Sequence, residues 1–464
     1  MIALDYTDSL KRHNSPKTTI LEREAQYSGA DFHSKMPGGV KAAMEKKNRS
    51  IWLITGVLIM LVAGSVYTWT IISRSIAATF PDWSAQTLSM TFTITMMGYA
   101  AGGMISGVLL KKTGPKFILA LGAVLFSGGM MISSFAQTPG LLYTGFGAMC
   151  GLATGLCYNS TVSTVSAWFP DKQGVASGTL LAGFGMSSFI AGKLFAAFAP
   201  ADGSRLWAIG LRVLAVLALA VLLLGIIVMR TPKAGEAAAA AGGPGAGASS
   251  KKKAGREPAS DIPTTEMIKK SSFWLFYVWI ALLTASGLML VSQASGIAAE
   301  VGTTLSGNTI ATAVGMISIL NAVGRICTGT VYDRFGYRIT MLMVMVFFGF
   351  SAVMMLLAIK TGIFALVVIG FAAGGFAYGG NASISPPMIS DFYGRTWYAT
   401  NFALIPTNAL FTSFASVLAG RIYDQTHSFL YPLLLLLGAI VLSVLISFMI
   451  RRPGEGEKGR KAGA

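Results

Sequence analysis

The ten residues GVLLKKTGPK at 107–116 and the ten residues GTVYDRFGYR at 329–338 lie 222 positions apart, and this pairing decides the fold. The shift lays Gly107, Lys112, Gly114 and Lys116 on Gly329, Arg334, Gly336 and Arg338. It also lays LVAGS at 61–65 on LTASG at 283–287. One offset serving two separate segments marks an internal repeat. Each decapeptide follows an apolar run long enough to cross a bilayer, so the repeating unit is a set of membrane helices.

The chain contains twelve such runs. The first half has Ile51 to Ser75, Gln86 to Leu110, Phe117 to Phe135, Gly140 to Phe169, Val175 to Phe198 and Leu206 to Met229. The second has Phe273 to Ala299, Asn308 to Tyr332, Ile339 to Ile359, Ile363 to Ser390, Tyr398 to Ile422 and Phe429 to Ile450. Six spans per half, an even number, give both halves the same orientation, a parallel repeat. The expected fold is an all-α integral membrane protein of twelve transmembrane helices in two parallel six-helix repeats. Its parts are a tail at 1–50, a first half at 51–229, a linker at 230–272, a second half at 273–450 and a tail at 451–464. The linker contains EAAAAAGGPGAGASSKKK, a composition that cannot bury a core, and is expected to be mostly disordered. Glu266 to Lys270 fits either a short surface helix or plain linker.

Composition agrees: 53% of the 464 residues are hydrophobic, 12% are charged, and mean hydropathy is +0.62. The net charge of +17 raises the question of nucleic acid, which the distribution answers. With both termini cytoplasmic, 29 of the Lys and Arg residues fall on the cytoplasmic side and 6 on the other. That is the positive-inside pattern, so topology and anionic lipid account for the charge and a nucleic-acid partner is not expected. Cys150, Cys157 and Cys327 all fall within spans and give no disulfide framework. The polar first 50 residues contain no signal-peptide core, so the first span is expected to direct insertion into the cell membrane. Gly147, Gly151 and Gly155 in span 4, with the pairs Gly370/Gly374 and Gly375/Gly379 in span 10, clear helix faces for close packing.

Arg325 breaks the apolar pattern. It stands eight residues before Asp333, which ends its span, and so lies roughly 12 Å inside, near the midplane of a hydrocarbon core about 30 Å thick. A guanidinium there costs at least about 2.5 kcal/mol unless compensated, and is a site hypothesis by default. The repeat sharpens the point, because Gly103 occupies the same slot in the first half. A midplane cation points to an anionic ligand.

Three further segments carry a resemblance: GSVYTWT at 64–70, WFPDKQG at 168–174 with ASG at 176–178, and ISILNAVGR at 317–325. Together with Gly329-x-x-x-Asp333-Arg334-x-Gly336-x-Arg338, they resemble the oxalate/formate antiporter family of the major facilitator superfamily, from about span 1 to span 12. The resemblance implies a carrier of small organic anions working by alternating access. It implies that Arg325 binds substrate carboxylate, with Tyr67, Tyr158 and Tyr378 at aromatic pocket positions. It also implies a gating role for Asp333, Arg334, Gly329, Gly336 and Arg338, and for Gly107, Lys112 and Gly114 in the other half. There the pattern departs, because Lys111 stands where the acid belongs.

Span 11 departs too. Oxalate carriers of the family place a lysine there, whereas Ile405-Pro-Thr-Asn-Ala409 is neutral. One buried cation instead of two favours a monoanion, so pyruvate-, lactate- or formate-like monocarboxylates are the expected substrates and oxalate-type exchange the alternative. Asn408, Gln293 and Asn381 are further candidates for the pocket. Anion exchange and proton co-transport both fit, since no carboxylate lies deep in a span. No cofactor, metal site or enzymatic group is expected, the chain is read as a monomer, and a receptor built on the same pocket is the reading from another class.

Overall fold

A computed structural model describes residues 38–83, 85–198, 205–233, 236, 258–305, 307–412 and 414–453. Residues 1–37 of the expected tail, most of the linker and 454–464 lie outside the described residues. Every regular element among the described residues is helical. The chain divides into two units between Asn48 and Arg49.

Among the described residues, eleven helices are long and apolar enough to cross a membrane. One of them, Thr87–Ser134, has 48 residues and would extend about 72 Å, more than twice a hydrocarbon core. Gly114 breaks it at φ 74°, a conformation open to glycine, with Pro115 starting the next helix. Two spans therefore run through this one segment, and the architecture is twelve helices. Gly336 makes the same turn between spans 8 and 9 at φ 80°. The glycines at 114 and 336 are thus turn residues, which only a residue without a Cβ adopts at low cost.

The glycine faces pack as close backbone contacts. Gly151 and Gly155 of span 4 lie on Thr95 and Tyr99 of span 2, and Gly375 and Gly379 of span 10 lie on Ile317 and Asn321 of span 8. A Cβ on Gly155 or Gly379 would come within 2.1 or 1.9 Å of the opposing backbone oxygen.

Among the described residues, 3-10 turns interrupt two spans. Span 1 passes through a 3-10 turn at Ser65–Thr68, and span 11 runs as Tyr398–Phe402, a 3-10 turn at Ile405–Asn408, then Ala409–Thr412 and Phe414–Thr426. Such breaks free backbone groups where a helix lines a polar interior.

The repeat is not gapless throughout. Gly329 packs on the backbone of Gly174, and its mate Gly107 packs on the backbone of Ala399. Ala399 lies 225 positions after Gly174, so the second half has gained three residues by the span 10–11 junction.

The described end of the linker docks on the second half. Ala259 N–H donates to the Asp391 carbonyl at 2.8 Å, Ile262 N–H to that of Tyr393 at 3.1 Å, and Ser260 Oγ to that of Phe392 at 2.5 Å. These are carbonyls of the last turn of span 10, which ends at Tyr393 and has no intrahelical donors left for them. Residues 258–262 act as a cap on that helix. Thr264–Met267 then forms a single helical turn, with Thr264 Oγ1 bonded to Asn401 Oδ1 at 2.7 Å.

Candidate functional site: one arginine between the two halves

Arg325 sits one turn after Asn321 on span 8, and its Nε donates to Asn321 Oδ1 at 2.9 Å. Its Nη1 donates to the carbonyl of Leu181 on span 5. A cation of the second half is thereby bonded to backbone of the first. Glycines make this approach possible. A Cβ on Gly178 would lie 2.4 Å from the Arg325 carbonyl oxygen, and one on Gly185 would lie 2.8 Å from Arg325 Cζ.

Four phenols, Tyr378, Tyr158, Tyr67 and Tyr99, are close enough to interact electrostatically with the guanidinium. Tyr67 comes from the 3-10 turn of span 1 and stands edge-on to Phe92 and Phe184, with ring centroids 5.9 and 5.6 Å away. Tyr158 meets Phe184 at 5.1 Å and Tyr99 at 5.5 Å, and its ring lies nearly parallel to Phe402 of span 11. Tyr378 lies flat against Gly287 of span 7, where a Cβ would come within 2.0 Å of the ring. Arg325, Tyr67 and Tyr378 each keep part of their surface accessible, as groups lining an internal space do.

Arg325, Tyr67, Tyr158 and Tyr378 are therefore brought together. Asn408 is buried at the end of the 3-10 turn of span 11, beside Thr407, whose Oγ1 bonds the Tyr277 hydroxyl at 2.8 Å. Asn381 ties span 10 to span 7 through Thr284 Oγ1 at 3.0 Å, an interhelical bond. Gln293 packs beside Gly420 of span 11, six residues beyond Gly287 and so about 9 Å further along span 7. Tyr99, Asn321 and Phe184 were not singled out from the sequence. The repeat holds a signal for two of them: Tyr99 and Asn321 share one slot, as do Gly103 and Arg325, so the two neighbours of the guanidinium occupy mated positions.

The halves close on each other at the end bearing the two decapeptides. Asp333 accepts the N–H groups of Gly174 and Val175 at 2.8 and 2.9 Å, capping the start of span 5. Gly329 and Gly107 provide the backbone contacts described above. Buried Asn159 donates to the carbonyls of Gly103 at 3.0 Å and Ala399 at 3.1 Å, bridging the halves. Arg338 Nε donates to the adjacent Tyr337 hydroxyl at 2.9 Å, while Lys112 and Arg334 are exposed. A recess lined by Thr309, Thr312, Ala313, Met316, Phe364 and Val368 carries no charged lining residue and does not suit an anion.

Residues 51–405 match the family model described as Major Facilitator Superfamily. The chain belongs to that superfamily. A solved facilitator, the proton:xylose symporter XylE bound to 6-bromo-6-deoxy-D-glucose, superposes with a TM-score of 0.67 over 88% of this chain and 96% of its own, at 14% identity, which is a likeness of fold. Among curated relatives, the uncharacterized MFS-type transporter YhjX of Escherichia coli strain K12 is 24% identical over 78% of this chain and 84% of its own. The oxalate:formate antiporter of Oxalobacter formigenes is 25% identical over 76% and 80%. Apicoplast pyruvate carrier 1 of Toxoplasma gondii is 26% identical over 82% and 86%. This facilitator is accordingly a multi-pass membrane transporter of a small molecule.

Proposed function

We propose that this facilitator carries small organic monocarboxylates across the cell membrane by alternating access, with Arg325 holding the carboxylate. The observation that carries the reading is the Arg325 guanidinium, within span 8, among Tyr67, Tyr99, Tyr158 and Tyr378. A guanidinium offers five donors in a planar fork. Leu181 and Asn321 take two groups of that fork, and a carboxylate is the ligand that matches what remains. The phenols supply further donors to an anion, and Phe184 and Phe402 back them with apolar surface that excludes water.

The names of two relatives, an oxalate:formate antiporter and a pyruvate carrier, support a small carboxylate. Within that class the neutral stretch Ile405–Asn408 favours one charge over two, since a second carboxylate would be desolvated without a cation beside it. Asn408 would serve a keto or hydroxyl oxygen. Asp333, Gly329 and Gly107 form the gate at the decapeptide end, which we place on the cytoplasmic side with both termini. The carrier works as a monomer, by anion exchange or with a co-transported proton.

Counterflow in proteoliposomes tests this. Vesicles loaded with unlabelled pyruvate, lactate, formate or oxalate are given the labelled anion outside. Saturable uptake of a monocarboxylate, abolished in Arg325→Ala, is expected; a protein that accumulates only oxalate, or none of the four, sinks the proposal.

A further inference from the structure

The two ends of the repeat solve one problem with different residues. In the second half, Asp333 on span 8 caps span 5 of the first half, so an acid links the halves. The mated position in the first half is Lys111, which cannot accept an N–H bond. Its ammonium instead sits over the Trp397 ring, 3.2 Å from the centroid, just ahead of span 11. An acid is nevertheless present at that junction. Asp261, from the ordered end of the linker, accepts Thr396 N–H at 3.2 Å on Oδ1 and the Thr396 hydroxyl on Oδ2. It also exerts an electrostatic pull on Lys111. Gly394, at φ 92°, leaves the space for it, since a Cβ there would lie 2.3 Å from Asp261 Oδ1.

We propose that Asp261 is the missing gate acid of the first half: the linker lends a carboxylate that is bound to the second half and latches Lys111 of the first. The capped segment 258–262 holds it in place through the carbonyls of span 10, so the acid moves with the second half. Opening at this end must draw Gly107 away from Ala399 and Lys111 away from both Trp397 and Asp261. The central linker thereby becomes part of the access equilibrium instead of a passive tether. Asp261 is a positioning residue; it lies at the gate and touches no substrate. The proposal rests on membership of the superfamily and alternating access, and not on the identity of the substrate.

Spin labels at Thr113 and Phe335, exposed on the two decapeptide loops, report the distance between the halves at this end, in a Cys327→Ser background because Cys327 is exposed. Asp261→Asn keeps the acceptor for Thr396 and removes the charge. It is expected to raise the long-distance population about three- to five-fold, the scale of one exposed ion pair. Lys111→Met, which leaves the linker untouched, is expected to do the same. Lys111→Asp in the Asp261→Asn protein puts an acid back at the mated position and is expected to return the distribution to that of the parent. An unchanged distribution in both single variants, or a shift that Lys111→Asp does not reverse, overturns the proposal. No substrate enters the measurement, so it succeeds or fails independently of the carboxylate assignment.

Discussion

Arg325 of span 8 hydrogen-bonds the Leu181 carbonyl of span 5, so the charge within the span is also a bond between the two halves. Under the proposed function, a carboxylate takes the donors that Leu181 and Asn321 leave free, so ligand and inter-half contact would share one guanidinium and be linked.

Arg325→Ala is expected to abolish transport while membrane insertion and thermal stability are kept or improved. The substitution removes a partly desolvated charge whose bonds to Asn321 and Leu181 only offset its burial. Arg325→Lys should retain at most a few per cent of wild-type uptake, since a point charge lacks the fork. Uptake and melting temperature of the three proteins check this, and near-normal uptake in the alanine variant would take Arg325 out of the site.

The helices and the arginine were legible from sequence for a physical reason: long apolar runs and one buried charge both stand out against their surroundings. Tyr99 and Phe184 did not stand out, because an aromatic residue in an apolar span looks the same whether it packs on lipid or on Tyr158. The breaks at Ser65–Thr68 and Ile405–Asn408 were equally hidden, apart from Pro406, since tertiary contacts decide whether a span bends. The slip from 222 to 225 escaped because the matched segments all precede span 9, where the extra residues had not yet entered. Asp261 lay in a polar linker with no periodicity, and only the carbonyls on which Ala259, Ser260 and Ile262 dock give it a place.

Asp333→Asn should change turnover more than affinity. The carboxylate caps two N–H groups of span 5, and the amide can satisfy one of them without charge. Loss of a cap costs about 0.5–2 kcal/mol, which here falls on the state closed at this end and shifts the access equilibrium about 2- to 30-fold. Binding measured by calorimetry should stay within about two-fold while exchange rates fall. Weakened binding with unchanged turnover would place Asp333 elsewhere in the cycle.

Gly329→Val should hold the carrier open at the decapeptide end. A Cβ at this position would sit 2.0 Å from the Gly174 carbonyl oxygen, and backbone cannot yield as a flexible side chain can. The expected protein binds substrate from one side only and exchanges at under about 1% of the wild-type rate, since closing would require overlap of backbone atoms. Gly103→Val is the control, because a Cβ on that glycine would meet nothing within 4 Å. Equal loss in both variants would mean that bulk on the helix, and not closure, is responsible.

The neutral turn of span 11 tests the substrate class. Asn408 is buried at the end of Ile405–Asn408, in the same span as Phe402, which stacks near Tyr158. If one cation sets the preference for one negative charge, Asn408→Lys should raise oxalate binding at least about ten-fold and lower monocarboxylate transport by a similar factor, a swing of about 1.4 kcal/mol each way. Ala409→Lys is the companion variant, rotated about 100° around the helix, so only one of the two can present its ammonium to Arg325. Competition of labelled pyruvate by unlabelled oxalate reads the outcome directly. A wild-type protein that already prefers oxalate to pyruvate, lactate and formate would end the one-cation argument, and the second charge would have to come from another residue.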